Sequence, residues 1–328
     1  LMNLKSLPKI ELHLHLEGAA PANFIKNLAT QKHIDVSKIF NQLGQYQFDN
    51  FKHFLSVYEA ATTVLQSPDD FYKLTKCVLE ECAKNHVVYV ETFVSPEFCG
   101  GNDIVSWKEY LSAICEASEE SEASFGIISR GIATCIRHLG PNSAKDTAKC
   151  AVETGGEWLV GFGMAGDETF GQAKDYVYSF DLAREAGLKL TSHAGEWGGS
   201  ESVRSTVNQL GVQRVGHGVQ SINDDELIQS LIEQQIVLEV CPGSNVFLGL
   251  YPDLQSHPIK TLRDRGVMVT VSTDDPPFFQ TSMDQEYESL ASCFGWSEDD
   301  FLELNRVALD AAFCDKKTKE KIAKMFKF

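Results

Sequence analysis

The chain has 328 residues, of which 43% are hydrophobic, and a formal net charge of -17. That length sustains a sizeable core and suits one large domain or two ordinary ones. The acidic balance argues against nucleic acid or an anionic membrane as main partner, since both recruit positive surface; it fits an enzyme of neutral or cationic small molecules, and equally a surface that only aids solubility.

The first apolar run, Ile10-Glu11-Leu12-His13-Leu14-His15, predicts a strand over residues 9–13. Alternation puts His13 and His15 on one face at its end, where two imidazoles can grip one metal ion. Residues 21–85 follow, mostly helical in pattern and too long for an ordinary barrel connection, so they predict a lid inserted after the first strand. Within them Phe51, Phe54, Leu55 and Tyr58 recur at helical spacing, as the core face of a helix or as the apolar wall of a pocket. Further strands are predicted over residues 87–94, 126–135, 158–163, 188–193, 214–216, 236–240 and 267–273. Helical patterns fill the gaps over residues 70–84, 107–121, 143–153, 171–186, 200–210, 224–234 and 257–265, and residues 299–324 read as one or two covering helices.

Eight strands, each followed by helix, give the count of a closed parallel (β/α)8 TIM barrel of α/β class. A doubly wound sheet alternates in the same way. Closure is favoured because polar candidates fall at the ends of strands one, five, six and eight, and only closure brings the first and last strands together. With no repeat, low-complexity segment or Pro/Gly/Ser-rich linker, residues 1–328 read as one domain. Nine cysteines are scattered without a Cys-x-x-Cys pair, which predicts a reducing compartment. The opening Leu1-Met2-Asn3-Leu4 lacks a secretory design and no apolar run reaches membrane-spanning length, so a cytoplasmic protein is expected.

The chemistry gathers in a few short segments. His13, His15, His193 and Asp274 together offer three nitrogens and one oxygen, a set that suits Zn²⁺ with room for water. Such a metal makes hydroxide available near neutral pH. Glu196 stands three residues after His193 and suits proton transfer; the competing reading is a carboxylate at a helix N-terminus. His217, between Gly216 and Gly218, suits orientation of an attacking hydroxide, or is a core histidine bonded to backbone. Asp274 and Asp275 are neighbours, expected to face opposite ways on a regular strand, one toward metal and one toward substrate. Two adjacent buried anions without a cation are costly, which again points to metal.

PKIELHLHLEG, MAGDE, SHAGE, GHG, CPGSN and STDDP, in this order, resemble the adenosine deaminase family of metal-dependent amidohydrolases across nearly the whole chain. The resemblance implies a (β/α)8 barrel with one Zn²⁺ per chain, held by His13, His15, His193 and Asp274. It implies Glu196 as proton donor to purine N1, His217 as orienter of the attacking hydroxide with Asp274 assisting, and Asp275 as partner of N7. The backbone N–H of Gly166 would meet N3, and Phe54, Leu55 and Tyr58 of the lid would shield the purine. His15 and Glu17 complete the set of substrate-contacting residues. The reaction implied is hydrolytic: hydroxide adds to C6, a tetrahedral intermediate forms, and ammonia leaves.

One residue departs from the adenosine pattern. Glu17 stands where classical adenosine deaminases carry the aspartate that contacts the ribose 5′-hydroxyl; related adenine deaminases carry glutamate there. MAGDE and HAGEWGGSESV lean the other way. The sequence therefore favours adenosine and 2′-deoxyadenosine as substrates, with adenine, or a modified N6-substituted purine nucleoside, as the alternative. Competing classes fare worse. A two-metal or phosphate-binding barrel hydrolase wants a bridging lysine or a basic cluster, and a non-catalytic relative would lose a ligand or Glu196. The P-C-x-x-C pattern of cytidine deaminases is missing.

Overall fold

A computed structural model describes residues 3–328. Residues 1 and 2, on which part of the leader reading rests, lie outside the described residues. Eight strands pair in chain order in one parallel sheet. They are β1 (Lys9–His15), β2 (Val87–Val94), β3 (Ile128–Ile136), β4 (Leu159–Ala165), β5 (Lys189–Ala194), β6 (Arg214–His217), β7 (Val237–Val240) and β8 (Met268–Val271). Most of their residues are buried, because interior side chains cover one face and helices the other.

The segment between β1 and β2 holds α1 (Ala22–Gln31), α2 (Phe51–Thr62) and α3 (Pro68–Lys84). Then come α4 (Ile104–Phe125), α5 (Gly140–Thr154), α6 (Val177–Glu185), α7 (Ser200–Ser205) and α8 (Asp225–Glu233), one in each connection from β2 to β7. α9 (Pro242–Phe247) and α10 (Ile259–Asp264) separate β7 from β8. After β8 follow α11 (Pro276–Phe279), α12 (Met283–Phe294), α13 (Glu298–Ala311) and α14 (Lys316–Ala323). The chain is thus a nearly closed (β/α)8 TIM barrel with an inserted helical segment after β1.

Several boundaries move for local reasons. β3 starts at Ile128, because Gly126 takes a left-handed φ of 74° and ends α4. The expected helix over residues 200–210 splits, since α7 gives way at Thr206 to one turn of π-helix. β8 ends at Val271, two residues early. Past that point side chains take over the pairing. Ser272 Oγ accepts the N–H groups of Leu12 (3.2 Å) and His13 (3.1 Å), and Glu11 accepts Thr273 N–H at 2.7 Å. Asn305 Oδ1 accepts Ile10 N–H at 2.8 Å. Backbone pairing resumes only where Asp274 N–H meets His13 O (3.1 Å) and His15 N–H meets Asp274 O (3.0 Å). This seam closes the barrel and fixes Asp274 beside the two histidines of β1.

The inserted segment is built by ordinary helix signals. Asn50 caps α2 by accepting His53 N–H, and Ser67 caps α3 with Pro68 at its first position. α2 buries Phe54, Val57 and Ala61, and the Phe54 ring packs against Phe278 (5.5 Å) and Phe279 (5.0 Å), shortly after Asp274. Among the described residues, no helix is long and apolar enough to cross a membrane.

Candidate active site

A cavity of about 160 Å³ opens at the C-terminal ends of the strands. His15, His193, Glu196, His217, Asp274 and Asp275 supply its polar wall, while Phe51, Phe54, Leu55 and Tyr58 of α2 form an apolar one. Gly166 lines it after β4. Placing catalytic groups at this end of a parallel barrel is the habit of the fold.

The metal candidates converge. Ligand atoms of His13, His15 and His193 lie within 4.8 Å of one another, as do those of His15, Asp274 and Asp275. Asp274 Oδ1 lies 3.3 Å from His13 Nε2 and 3.1 Å from His15 Nε2. Gly216 makes room: a Cβ there would sit 2.6 Å from the His193 ring and 2.9 Å from that of His13. Behind the cluster, His13 Nδ1 and Glu239 Oε1 are 2.9 Å apart, so the Nδ1–H donates to the carboxylate and Nε2 presents a lone pair. Burial alone would raise the Glu239 carboxyl, but Arg214 and His13 pull it down to about 2. His13 Nε2, His193 Nε2 and Asp274 Oδ1 are buried without a hydrogen-bond partner. A donor set of three imidazoles and a carboxylate, with unpaired atoms facing one point, fits a zinc ion. Cys241 is also within reach of His13, His217 and Asp274, but its thiol points to Glu239 O at 3.8 Å and burial holds it protonated.

Two of the central residues sit on unusual backbone. His217 has φ 66° and Asp274 φ 69°, values that side-chain-bearing residues rarely adopt. Strain of this kind persists where the surroundings hold it, often at working sites. It corrects one expectation. Asp274 and Asp275 do not alternate as strand neighbours: β8 has ended, the left-handed turn intervenes, and both line the same cavity.

The carboxyls are pushed apart electrically. Glu196, 4% exposed, is raised well above the usual range by burial and the charges of Asp274 and Glu168. Asp275 is raised in the same direction, by burial and Asp274. For Asp274 the imidazoles of His13 and His15 beside it outweigh burial and hold its carboxyl well below the usual range. Glu196 Oε2 lies 3.3 Å from His217 Nε2, and Asp274 Oδ2 lies 3.6 Å from the same atom. Separate carboxyls poised as acid and base in one pocket are the mark of proton-transfer chemistry. The helix-terminus reading of Glu196 does not hold, because α7 begins four residues later.

Glu17 is placed differently from expectation. It is 3% exposed and lies behind the cavity wall, its Oε2 accepting from Tyr58 Oη (3.3 Å) and its Oε1 from Ser95 N–H (3.3 Å). Burial pushes its carboxyl up to about 7. It starts a 3₁₀ turn after Leu16, which swings it off the line of β1. The MAGDE segment also does other work than expected. Glu168 accepts the N–H groups of Gly195 (2.7 Å), Glu196 (3.1 Å) and Trp197 (2.9 Å), and so clamps the loop that carries Glu196.

Sequence reasoning missed Glu239, Ser244, Asn245 and His257, as well as the lining residues Ser95, Phe98, His138 and Leu248. A signal existed for Glu239, a lone charge inside the apolar run of β7.

A family profile described as adenosine deaminase matches residues 8–327. The chain belongs to the adenosine deaminase family. Among curated relatives of this deaminase-family chain, an adenine deaminase from Rhizobium leguminosarum bv. trifolii is 41% identical, covering 96% of this chain and 97% of its own. The solved adenine deaminase from Arthrobacter aurescens superposes with a TM-score of 0.88 at 26% identity, covering 97% of both chains. An amidohydrolase from Burkholderia ambifaria, solved with bound Zn, superposes with a TM-score of 0.83 at 25% identity, covering 97% of this chain and 89% of its own. Membership makes the chain a hydrolase acting on C–N bonds in cyclic amidines, within a metal-dependent family. The relatives favour adenine, the alternative of the sequence reading, over adenosine, its main reading.

Proposed function

We propose that the protein hydrolyses adenine to hypoxanthine and ammonia, as one deaminase domain over residues 1–328 with one zinc ion per chain. The relatives' names support the substrate, and one structural observation carries it. The Glu17 carboxyl ties Tyr58 of α2 to Ser95 after β2. The family resemblance puts the ribose of a nucleoside beside this position. Glu17 does not itself line the cavity; one methylene longer than aspartate and held by two donors, it fixes Tyr58 of the cavity wall where that ribose would need room. MAGDE does not weigh against this, because its Glu168 is engaged in holding the Glu196 loop.

His13, His15, His193 and Asp274 would hold the zinc, whose chemistry when bound is to polarise water and lower its pKa toward neutrality. The remaining work falls to the chain. Glu196, kept protonated by burial, holds a proton at its carboxyl for a ring nitrogen of the purine, the N1 of the resemblance. Asp275, also protonated, offers a donor to N7. Gly166, with φ 99° and no room for a Cβ beside His138, brings its backbone to the cavity edge for N3. Asp274 Oδ2 takes up a proton from attacking water, with His217 on the same side. Phe54, Leu55 and Tyr58 exclude bulk solvent over the ring. The nine cysteines are all free thiols, which supports a cytoplasmic setting.

The experiment is ultraviolet-monitored deamination of adenine, adenosine and 2′-deoxyadenosine in parallel by the zinc-loaded protein. Adenine turns over and both nucleosides are inert on this reading. Nucleoside turnover with inert adenine overturns it and returns the sequence's first choice.

A further inference from the structure

The CPGSN segment belongs to the resemblance but has no part in the mechanism above. In the structure its last two residues face the cavity from behind. Ser244 Oγ donates to Asp274 Oδ2 at 2.9 Å, and Asn245 Nδ2 lies 3.2 Å from His217 Nδ1. Asn245 Oδ1 in turn lies 2.9 Å from His257 Nε2, and His257 Nδ1 lies 3.0 Å from the backbone nitrogen of Ile259. Asn245 and His217 are fully buried and His257 is 3% exposed, so water does not compete for these bonds.

The chain of bonds has a fixed direction. Ile259 N–H is a backbone donor and cannot be reversed. His257 Nδ1 must therefore accept, and the ring's proton sits on Nε2. That proton needs an acceptor, so the Asn245 carbonyl faces His257 and its NH₂ faces His217. His217 Nδ1 must then accept, and its own proton sits on Nε2. Ring and amide assignments usually rest on inference from neighbours; here a main-chain group decides all three.

We infer that Asn245 and His257 are positioning residues that fix the proton of His217 on Nε2, making it a hydrogen-bond donor into the cavity. This atom is buried with no hydrogen-bond partner, and its neighbours are Glu196 Oε2 at 3.3 Å and Asp274 Oδ2 at 3.6 Å. His217 so fixed does not act as a base. It holds the attacking oxygen and stabilises charge that develops there, and the proton of the attacking water goes to Asp274. The inference concerns which ring nitrogen holds the proton, not the pH at which the ring gains a second. It rests on the deaminase reading of the site.

The test is nitrogen NMR of the zinc-loaded protein with ¹⁵N in its histidine rings, the His217 signals being assigned by their loss in His217→Gln. Wild type shows the proton on Nε2. Asn245→Asp is nearly isosteric and puts an acceptor opposite Nδ1, so the proton moves to Nδ1. With the donor lost, kcat on adenine falls about 10²–10³-fold while KM and zinc content stay close to wild type. His257→Phe frees the Asn245 amide to turn, giving both tautomers and a smaller loss. A wild-type proton on Nδ1 overturns the inference; so does Asn245→Asp with a moved proton and an unchanged kcat. If Asn245→Asp does not fold, the wild-type spectrum and His257→Phe decide. The spectrum is taken without substrate, so a wild type inert toward adenine sinks the proposed function and leaves the tautomer to be judged by its own signals.

Discussion

The barrel interior contains two polar clusters of opposite character. Toward the N-terminal ends of the strands, Arg214 donates to Glu239 (2.6 Å), to Glu91 (2.8 Å) and to Ala311 O (2.9 Å). Glu91 also accepts from Tyr89 Oη (2.5 Å) and Phe313 N–H (2.7 Å), and Glu239 from Thr191 Oγ1 (3.0 Å). No side chain in that cluster has a buried polar atom without a partner. Toward the C-terminal ends, His13, His193, His217, Asp274 and Asp275 each have one. A fold that satisfies one cluster fully has the means to satisfy the other. The unpaired atoms are therefore a cost in stability retained for a ligand. His13 joins the two clusters: Nδ1 belongs to the paired one and Nε2 to the unpaired one.

The contrast is sharpened by substitutions on each side. The largest effect is expected for Asp274→Ala, which removes the carboxylate between His13 and His15: zinc content measured by mass spectrometry and turnover both fall to background. Retained zinc would remove Asp274 from the ligand set. Glu196→Gln is expected to keep zinc and substrate affinity but lower kcat about 10²–10⁴-fold, since in the proposed role only the proton donor is lost; an unchanged kcat would move the acid elsewhere. Arg214→Met strands two buried carboxylates, and urea unfolding should show a loss of about 3–5 kcal/mol, far more than for cavity-lining residues. Equal losses in both clusters would end the distinction. The smallest effect is expected for Glu17→Asp, which shortens the brace to Tyr58 and Ser95. Use of adenosine relative to adenine should rise about 10-fold, the scale of one methylene in a pocket. A constant ratio would leave Glu17 without a part in specificity.

The legibility of the two clusters in the sequence differs for physical reasons. β2 is legible to the residue, because VVYVETFV is rich in β-branched and aromatic residues and Glu91 is the one charge in it. The metal candidates are readable because His15 and His193 lie at or next to the ends of β1 and β5, His13 precedes His15 on β1 and Asp274 follows β8, and the barrel's geometry brings strand ends together. The shared orientation of Asp274 and Asp275 was not readable, because it depends on a left-handed turn that periodicity does not encode. The position of Glu17 depends on the 3₁₀ turn that begins there, and the role of Glu168 in MAGDE depends on the Glu196 loop folding back onto it, which its sequence does not encode. The Asn245–His257 relay spans an irregular connection between β7 and β8, where no pattern of spacing predicts which side chains meet. Glu91, Arg214 and Glu239 left the plainest missed signal: charges set inside short buried strands need partners, and here they found one another.

The most direct test of the central claim, that the unpaired cluster holds a metal which serves a purine, is a titration of zinc into metal-stripped protein with adenine turnover followed throughout. The account expects no turnover at the start, a linear rise that saturates at one zinc per chain, and no response in Asp274→Ala. Full turnover before zinc is added, or none at saturation, would contradict it.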